Sequence, residues 1–309
     1  MSVRNYERVQ YMKNDFKLLV AFDGSRESEA ILDDLGYCGL PKTNVEVRVI
    51  SVAEVWLPPE HGDPNVYMNK RLLEHFTTNL REFDEAKANS NRARDSIQSR
   101  FSNWIVTASA TYGSPAWEIL LEAGDFKPDM ILLGAKGVSG IDRILIGSVA
   151  QKIATEADCS VRICRGRVGV ESSPPKILIP YDGSIGADEA VRQVSTRVWP
   201  MGSEARVIVV TDNTDIRSTL EIDSDRITAT AETVSRSITA HGPASDYIVV
   251  DGNPKREIVR EADAWAADCI FMGATSRKSK LGRWLLGSVS AAVASRANCS
   301  VEIVRPKEP

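Results

Sequence analysis

At 309 residues, 43% hydrophobic and 26% charged, the chain has the composition of a folded protein with more sequence than one ordinary core uses, so two domains are expected. Its 38 lysines and arginines against 42 aspartates and glutamates leave a net charge of -4, which excludes the broad basic field of a nucleic-acid binder or an anionic-membrane binder. Five cysteines without a CxxC pair argue against a disulfide framework or zinc knuckle, the three histidines lack metal-ligand spacing, and no apolar run reaches membrane-spanning length. A cytoplasmic protein with no resident metal site, its cysteines packed as small core residues, is the expectation.

Residues 1–14 are polar and mixed in charge, without the apolar centre of a signal peptide, and read as an N-terminal extension. From residue 15 to 165, short apolar runs predict strands near 16–22, 45–52, 105–110, 130–133 and 161–164, separated by longer amphipathic or charged segments. The proline-rich stretch 56–65 reads as a loop, and 68–101 as a long charged helix. Residues 166–175, rich in glycine, serine and proline, form the expected linker. A second domain over 176–309 repeats the pattern, with strands near 176–181, 205–211, 247–250, 269–272 and 301–304. Runs such as 131–133 and 177–179 are apolar without alternation, as for strands covered on both faces. The expected fold class is therefore α/β, with two tandem open five-stranded parallel-sheet domains, Rossmann-like, and helices on both faces.

The two domains are copies. KLLVAFDGS from Lys17 to Ser25 returns as KILIPYDGS from Lys176 to Ser184, and YGSPAWEI at 112–119 returns as DGNPKREI at 251–258. DMILLGA at 129–135 matches DCIFMGA at 268–274, while GSV at 147–149 and CSVRI at 159–163 match GSV at 287–289 and CSVEI at 299–303. The offset falls from 159 at the first block to 139 and then 140, so the first copy carries about twenty extra residues between its first two blocks. The terminal strands, 160–164 and 300–304, are apolar edges that need cover, so the copies are expected to pack through them as a pseudo-twofold pair.

After the fourth strand the first copy reads Gly134-Ala-Lys-Gly137, then nine residues, then Gly147-Ser148 opening an apolar helix. Glycines let main-chain amides approach a phosphate, and a helix start carries partial positive charge. Such glycines and serines are also ordinary turn and cap punctuation, and the same holds for Asp23 and Asp182 in their DGS blocks.

The G-x2-G-x9-G-S/T spacing, joined in fixed order to the DGS, GxP and CSVxI blocks, resembles the universal stress protein superfamily in its tandem two-domain form, over nearly the whole chain. That resemblance implies an adenine nucleotide alpha hydrolase-like fold and ATP as ligand, with Mg2+ as an optional companion. Asp23 would contact the ribose. Gly134, Gly137, Gly147, Ser148 and Val149 would surround the phosphates, and Val52 would line the adenine pocket. In the second copy Asp182, Gly273, Gly287 and Ser288 remain, but Ser276 replaces the second glycine and the following spacer has one more residue. Arg277, Lys278, Lys280 and Arg283 crowd that loop. Nucleotide is therefore expected mainly in the first domain.

No catalytic residues are assigned. The chain has no GxxxxGK loop ending in serine or threonine, no GxGxxG after a strand, and no serine, histidine and carboxylate set with readable spacing. The expected function is that of an ATP-binding regulatory or stress-response protein, hydrolysing ATP weakly at most. The rivals are a non-nucleotide dimeric scaffold of the same fold and a slow ATPase. Whole-chain homodimerisation and an unidentified protein partner accompany the resemblance; nucleic acid and membrane do not.

Overall fold

The computed structural model describes residues 16–54, 70–135, 146–166, 173–211, 224–274 and 286–306. The loop at 56–65, Gly137, the basic residues at 277–283 and most of the linker lie outside the described residues.

The first copy runs β1 (Phe16–Ala21), α1 (Arg26–Asp34), a 3-10 turn (Leu35–Tyr37), β2 (Val45–Ala53), α2 (Lys70–Arg100), β3 (Ile105–Tyr112), α3 (Pro115–Phe126), β4 (Met130–Gly134), α4 (Ser148–Glu156) and β5 (Ser160–Cys164). The second runs β6 (Lys176–Pro180), α5 (Ile185–Thr196), β7 (Glu204–Thr211), α6 (Ser224–His241), β8 (Ala244–Asp251), α7 (Pro254–Ala264), β9 (Cys269–Gly273), α8 (Ser288–Arg296) and β10 (Ser300–Val304). Each expected strand is present. The third strand of the second copy starts earlier than its apolar run, at Ala244, because β8 is an edge strand whose first residues are largely exposed and polar.

Local chemistry fixes the helix starts. Ser25 and Ser184 cap α1 and α5, accepting from the amides of Ser28 and Ala187. In the GxP blocks, Pro115 and Pro254 open α3 and α7, where a missing N–H costs nothing.

Among the described residues, all ten strands join one open sheet in the order β3-β2-β1-β4-β5-β10-β9-β6-β7-β8. Pairing within each copy is parallel, and the copies meet where β5 and β10 pair antiparallel. The expected packing through terminal strands is thus observed, and it removes two edges that would otherwise be unpaired. One apolar cluster runs continuously across both copies and includes residues of α3, α4, α7 and α8; two separate clusters cover the opposite face, with α1 and α2 in one and α5 and α6 in the other.

The register sets Arg162 opposite Glu302. These are the same position in the two copies, so the pseudo-twofold axis passes between unlike charges. Arg162 is fully buried and holds Asp34 with a two-pronged grip, Nε to Oδ2 at 2.5 Å and Nη2 to Oδ1 at 3.0 Å, while Nη1 reaches Glu302 at 3.1 Å. Arg197 closes the set from the second copy, donating to both oxygens of Glu302 and to the Cys38 carbonyl. Burial works against the Arg162 charge, but the Asp34 carboxylate beside it prevails and holds the guanidinium above its usual range.

Candidate functional site

The carboxyl ends of the parallel strands gather the sequence-predicted residues. Asp23 follows β1, Val52 sits near the end of β2, and Gly134 ends β4, whose neighbour Ala135 donates its amide to the Cys164 carbonyl at 3.0 Å. Gly147 caps α4 in an extended conformation and offers no side chain to the first turn. The amides of that turn are therefore left for an outside acceptor, next to the exposed Ser148. Val149 and Val52 pack against the core shared by the two copies.

In the second copy the matching residues surround one cavity of about 380 Å3. Its lining includes Asp182, Val210, Gly273, Gly287, Ser288 and Val289, the counterparts of Asp23, Val52, Gly134, Gly147, Ser148 and Val149. The volume lies in the range of small-ligand pockets. Ile208 and Met272 supply apolar wall, and the uncapped start of α8 supplies amides.

Three predicted residues have structural duties besides. Asp23 Oδ1 accepts from the Ser25 amide at 2.9 Å and its hydroxyl at 2.6 Å, and Asp182 Oδ1 accepts from the Ser184 amide at 3.0 Å. Each aspartate thus shapes the turn into the next helix with one oxygen. Gly134 is required by packing: a Cβ there would fall 2.6 Å from the carbonyl oxygen of Glu27, in the first turn of α1.

Asn89 was not visible from sequence. It lies on α2, donates from Nδ2 to the Asp23 carbonyl at 3.1 Å, and stands where a Cβ on Gly24 would go. The long helix of the first copy thus braces the Asp23 turn. Gly183, the counterpart of Gly24, has open space instead. Such a contact between distant segments leaves no local pattern; the only signal was the charged helix being longer in the first copy.

The cysteines offer no nucleophile. Cys38, Cys164 and Cys269 are buried, and burial pushes all three thiols up; Cys159 and Cys299 are partly exposed yet pushed up to about 12. The thiolate, the reactive form, is thus scarce at neutral pH. Titration of the native chain with an aromatic disulfide reagent at about pH 8, where an ordinary thiol is partly ionised, is expected to report far fewer thiols than denaturant releases. Equal and rapid reaction in the native protein would contradict this burial. Among the described residues, no group of three or more His, Cys, Asp or Glu is placed to hold a metal, and no helix is long and apolar enough to cross a membrane.

The model of the universal stress protein family matches residues 16–165 and again 175–305. The chain is 29% identical over 152 residues to universal stress protein YxiE of Bacillus subtilis, an alignment covering 48% of this chain and 98% of that protein. It is 24% identical over 312 residues to a universal stress protein of Mycobacterium tuberculosis, covering 93% of this chain and 96% of the relative. A crystal structure of a universal stress protein from Archaeoglobus fulgidus superposes with a TM-score of 0.67 at 22% identity, covering 95% of this chain and 99% of that one. That superposition supports the fold.

Proposed function

The chain belongs to the universal stress protein family, as two tandem domains, and from that premise we propose that it binds ATP at the carboxyl ends of its strands and acts as a regulatory protein. The observation that carries the reading is the convergence around the second copy's cavity of the counterparts of every described first-copy site residue. Phosphate oxygens would take the free amides at the starts of α4 and α8, where the helix dipole favours negative charge. Adenine would lie against Val52 or Val210, and the second carboxylate oxygen of Asp23 or Asp182 would face the ribose. Only the first copy carries the full glycine spacing, so it is proposed as the main site, with Mg2+ accompanying the phosphates there.

We also propose the division 15–165 and 176–309, joined by a linker at 166–175 after an N-terminal extension at 1–14, and a cytoplasmic place of action. Because β5 and β10 cover each other, a homodimer of whole chains would have to use another surface. Hydrolysis at the second copy's cavity would be slow at most, since among the described residues no second carboxylate, histidine or lysine lines it beside Asp182. The rival scaffold reading draws on Gly134 and Gly273, whose close packing explains them without a ligand.

Calorimetry with ATP and Mg2+ on the intact chain tests the proposal. Binding is expected, and a hundredfold excess over Kd should stabilise the fold by about 2.7 kcal/mol. Val52→Trp and Val210→Trp should each remove one site. Nucleotide-free protein that gives neither heat nor a thermal shift would favour the scaffold.

A further inference from the structure

Away from the Arg162–Glu302 axis, each copy also grips the other through the arginine that follows its last strand. Arg165, directly after β5, donates from Nη1 to the Cys299 carbonyl at 3.3 Å and from Nη2 to the Ala294 carbonyl, while its amide donates to Ser300 Oγ at 3.1 Å. Arg305, directly after β10, repeats the grip on Cys159 at 3.0 Å, Ala154, and Ser160 Oγ at 3.1 Å. Ala154 and Ala294 lie in the last turns of α4 and α8, where carbonyls have no donor within the helix. A guanidinium there satisfies them and sits at the negative end of the dipole. Burial pushes both arginines down to about 10, which leaves them charged at neutral pH.

The other ends of these two helices are the proposed phosphate-binding starts, Gly147-Ser148 and Gly287-Ser288. α4 and α8 are nine residues each, so one short element joins grip to site. The chain closes the circuit. The Cys164 carbonyl, next to Arg165, accepts from Ala135 at the head of the first copy's loop. The Val304 carbonyl, next to Arg305, accepts at 2.8 Å from Ala274, which lines the second cavity. Arg165 therefore links Ala135, just after β4 of the first copy, to the helix of the second site, and Arg305 links Ala274, just after β9, to the helix of the first.

We propose that Arg165 and Arg305 couple the two nucleotide sites, so that ATP in one copy raises the affinity of the other; this rests on the ATP reading above. The sign follows from ordering. A phosphate that holds the start of α8 holds its last turn as well, that turn holds Arg165, and a held Arg165 fixes Cys164 and, through its carbonyl, the Ala135 amide at the end of β4. The second ligand then meets a site already ordered.

The test is calorimetry with ATP and Mg2+ on the full chain. Single-site affinities come from Val210→Trp and Val52→Trp, with Val210→Phe and Val52→Phe as milder blocks should either tryptophan variant fail to fold. The two-site isotherm of the unaltered chain should exceed the product of those affinities by about fivefold or more. In the Arg165→Met, Arg305→Met double variant that excess should fall to about one, and Arg165→Lys with Arg305→Lys, which keeps the charge but loses the two-pronged grip, should fall between. An excess near one in the unaltered chain, or one that survives loss of both arginines, overturns the coupling and leaves ATP binding standing. No binding to the unaltered chain removes the ATP reading, and the coupling with it.

Discussion

Arg162→Met is expected to destabilise the chain by about 3–5 kcal/mol, the range for removing one partner from a buried ion network. The Asp34 carboxylate loses the fork that now holds it, and Glu302 keeps Arg197 alone of its two arginines. The side chains of Arg162 and Glu302 are 0% exposed, so water cannot take over. Methionine also loses the guanidinium's place over the Phe271 ring, 5.8 Å from its centroid. Urea unfolding should show a lower midpoint with little change in slope. Arg236→Met, which breaks an exposed pair with Glu232 on α6, should cost about 0.5 kcal/mol or less and serves as the control. Replacing Asp34, Arg162, Glu302 and Arg197 together by leucine or methionine should recover most of the loss, because the stranded charges go with their partners. If Arg162→Met unfolds within about 1 kcal/mol of the unaltered chain, the network is hydrated in solution and the axis is not dry. The same network makes the two copies complementary. Two first copies paired through β5 would set Arg162 against Arg162, and two second copies Glu302 against Glu302, so the dry pairing favours one copy of each kind.

The repeat made the architecture legible. Apolar runs bounded by turn residues predicted all ten strands, and the two uncovered apolar edges predicted that β5 would meet β10. Local chemistry was legible too, because the DGS and GxP blocks act within a few residues as caps and helix starts. The meeting of Arg162 with Asp34 and Glu302 was not, since these partners lie 128 and 140 residues away and a charge in a short apolar run carries no address. What the sequence did display was opposite charges at one repeat position, CSVRI against CSVEI. Arg165 and Arg305 likewise recur at the 140-residue offset, the same residue at the same strand end in both copies. For the candidate site, residue identities came from the resemblance and the loop spacing. Their convergence into a cavity, the Asn89 brace and the packing duty of the glycines needed three dimensions.

That packing duty leads to the second large effect. Gly273→Ala should destabilise nucleotide-free protein by about 3 kcal/mol, the upper part of the range for overpacking a tight contact. The new Cβ would fall 2.0 Å from the carbonyl carbon of Gly186 and 2.3 Å from its oxygen, and both are main-chain atoms that no rotamer change can move. The contact is reciprocal, since a Cβ on Gly186 would meet the Ala274 oxygen at 2.3 Å. Helix α5 lies this close to β9 because both positions are glycine, and relief requires the helix to lift from the strand. Gly183→Ala, in the turn just before the same helix, separates steric crowding from backbone strain. Its Cβ would have nothing within 4 Å, but φ is +76°, so it should cost only the left-handed penalty of about 1–2 kcal/mol. Urea midpoints of the two variants make the comparison, and a Gly273→Ala chain as stable as Gly183→Ala would mean that α5 already stands off β9 in solution.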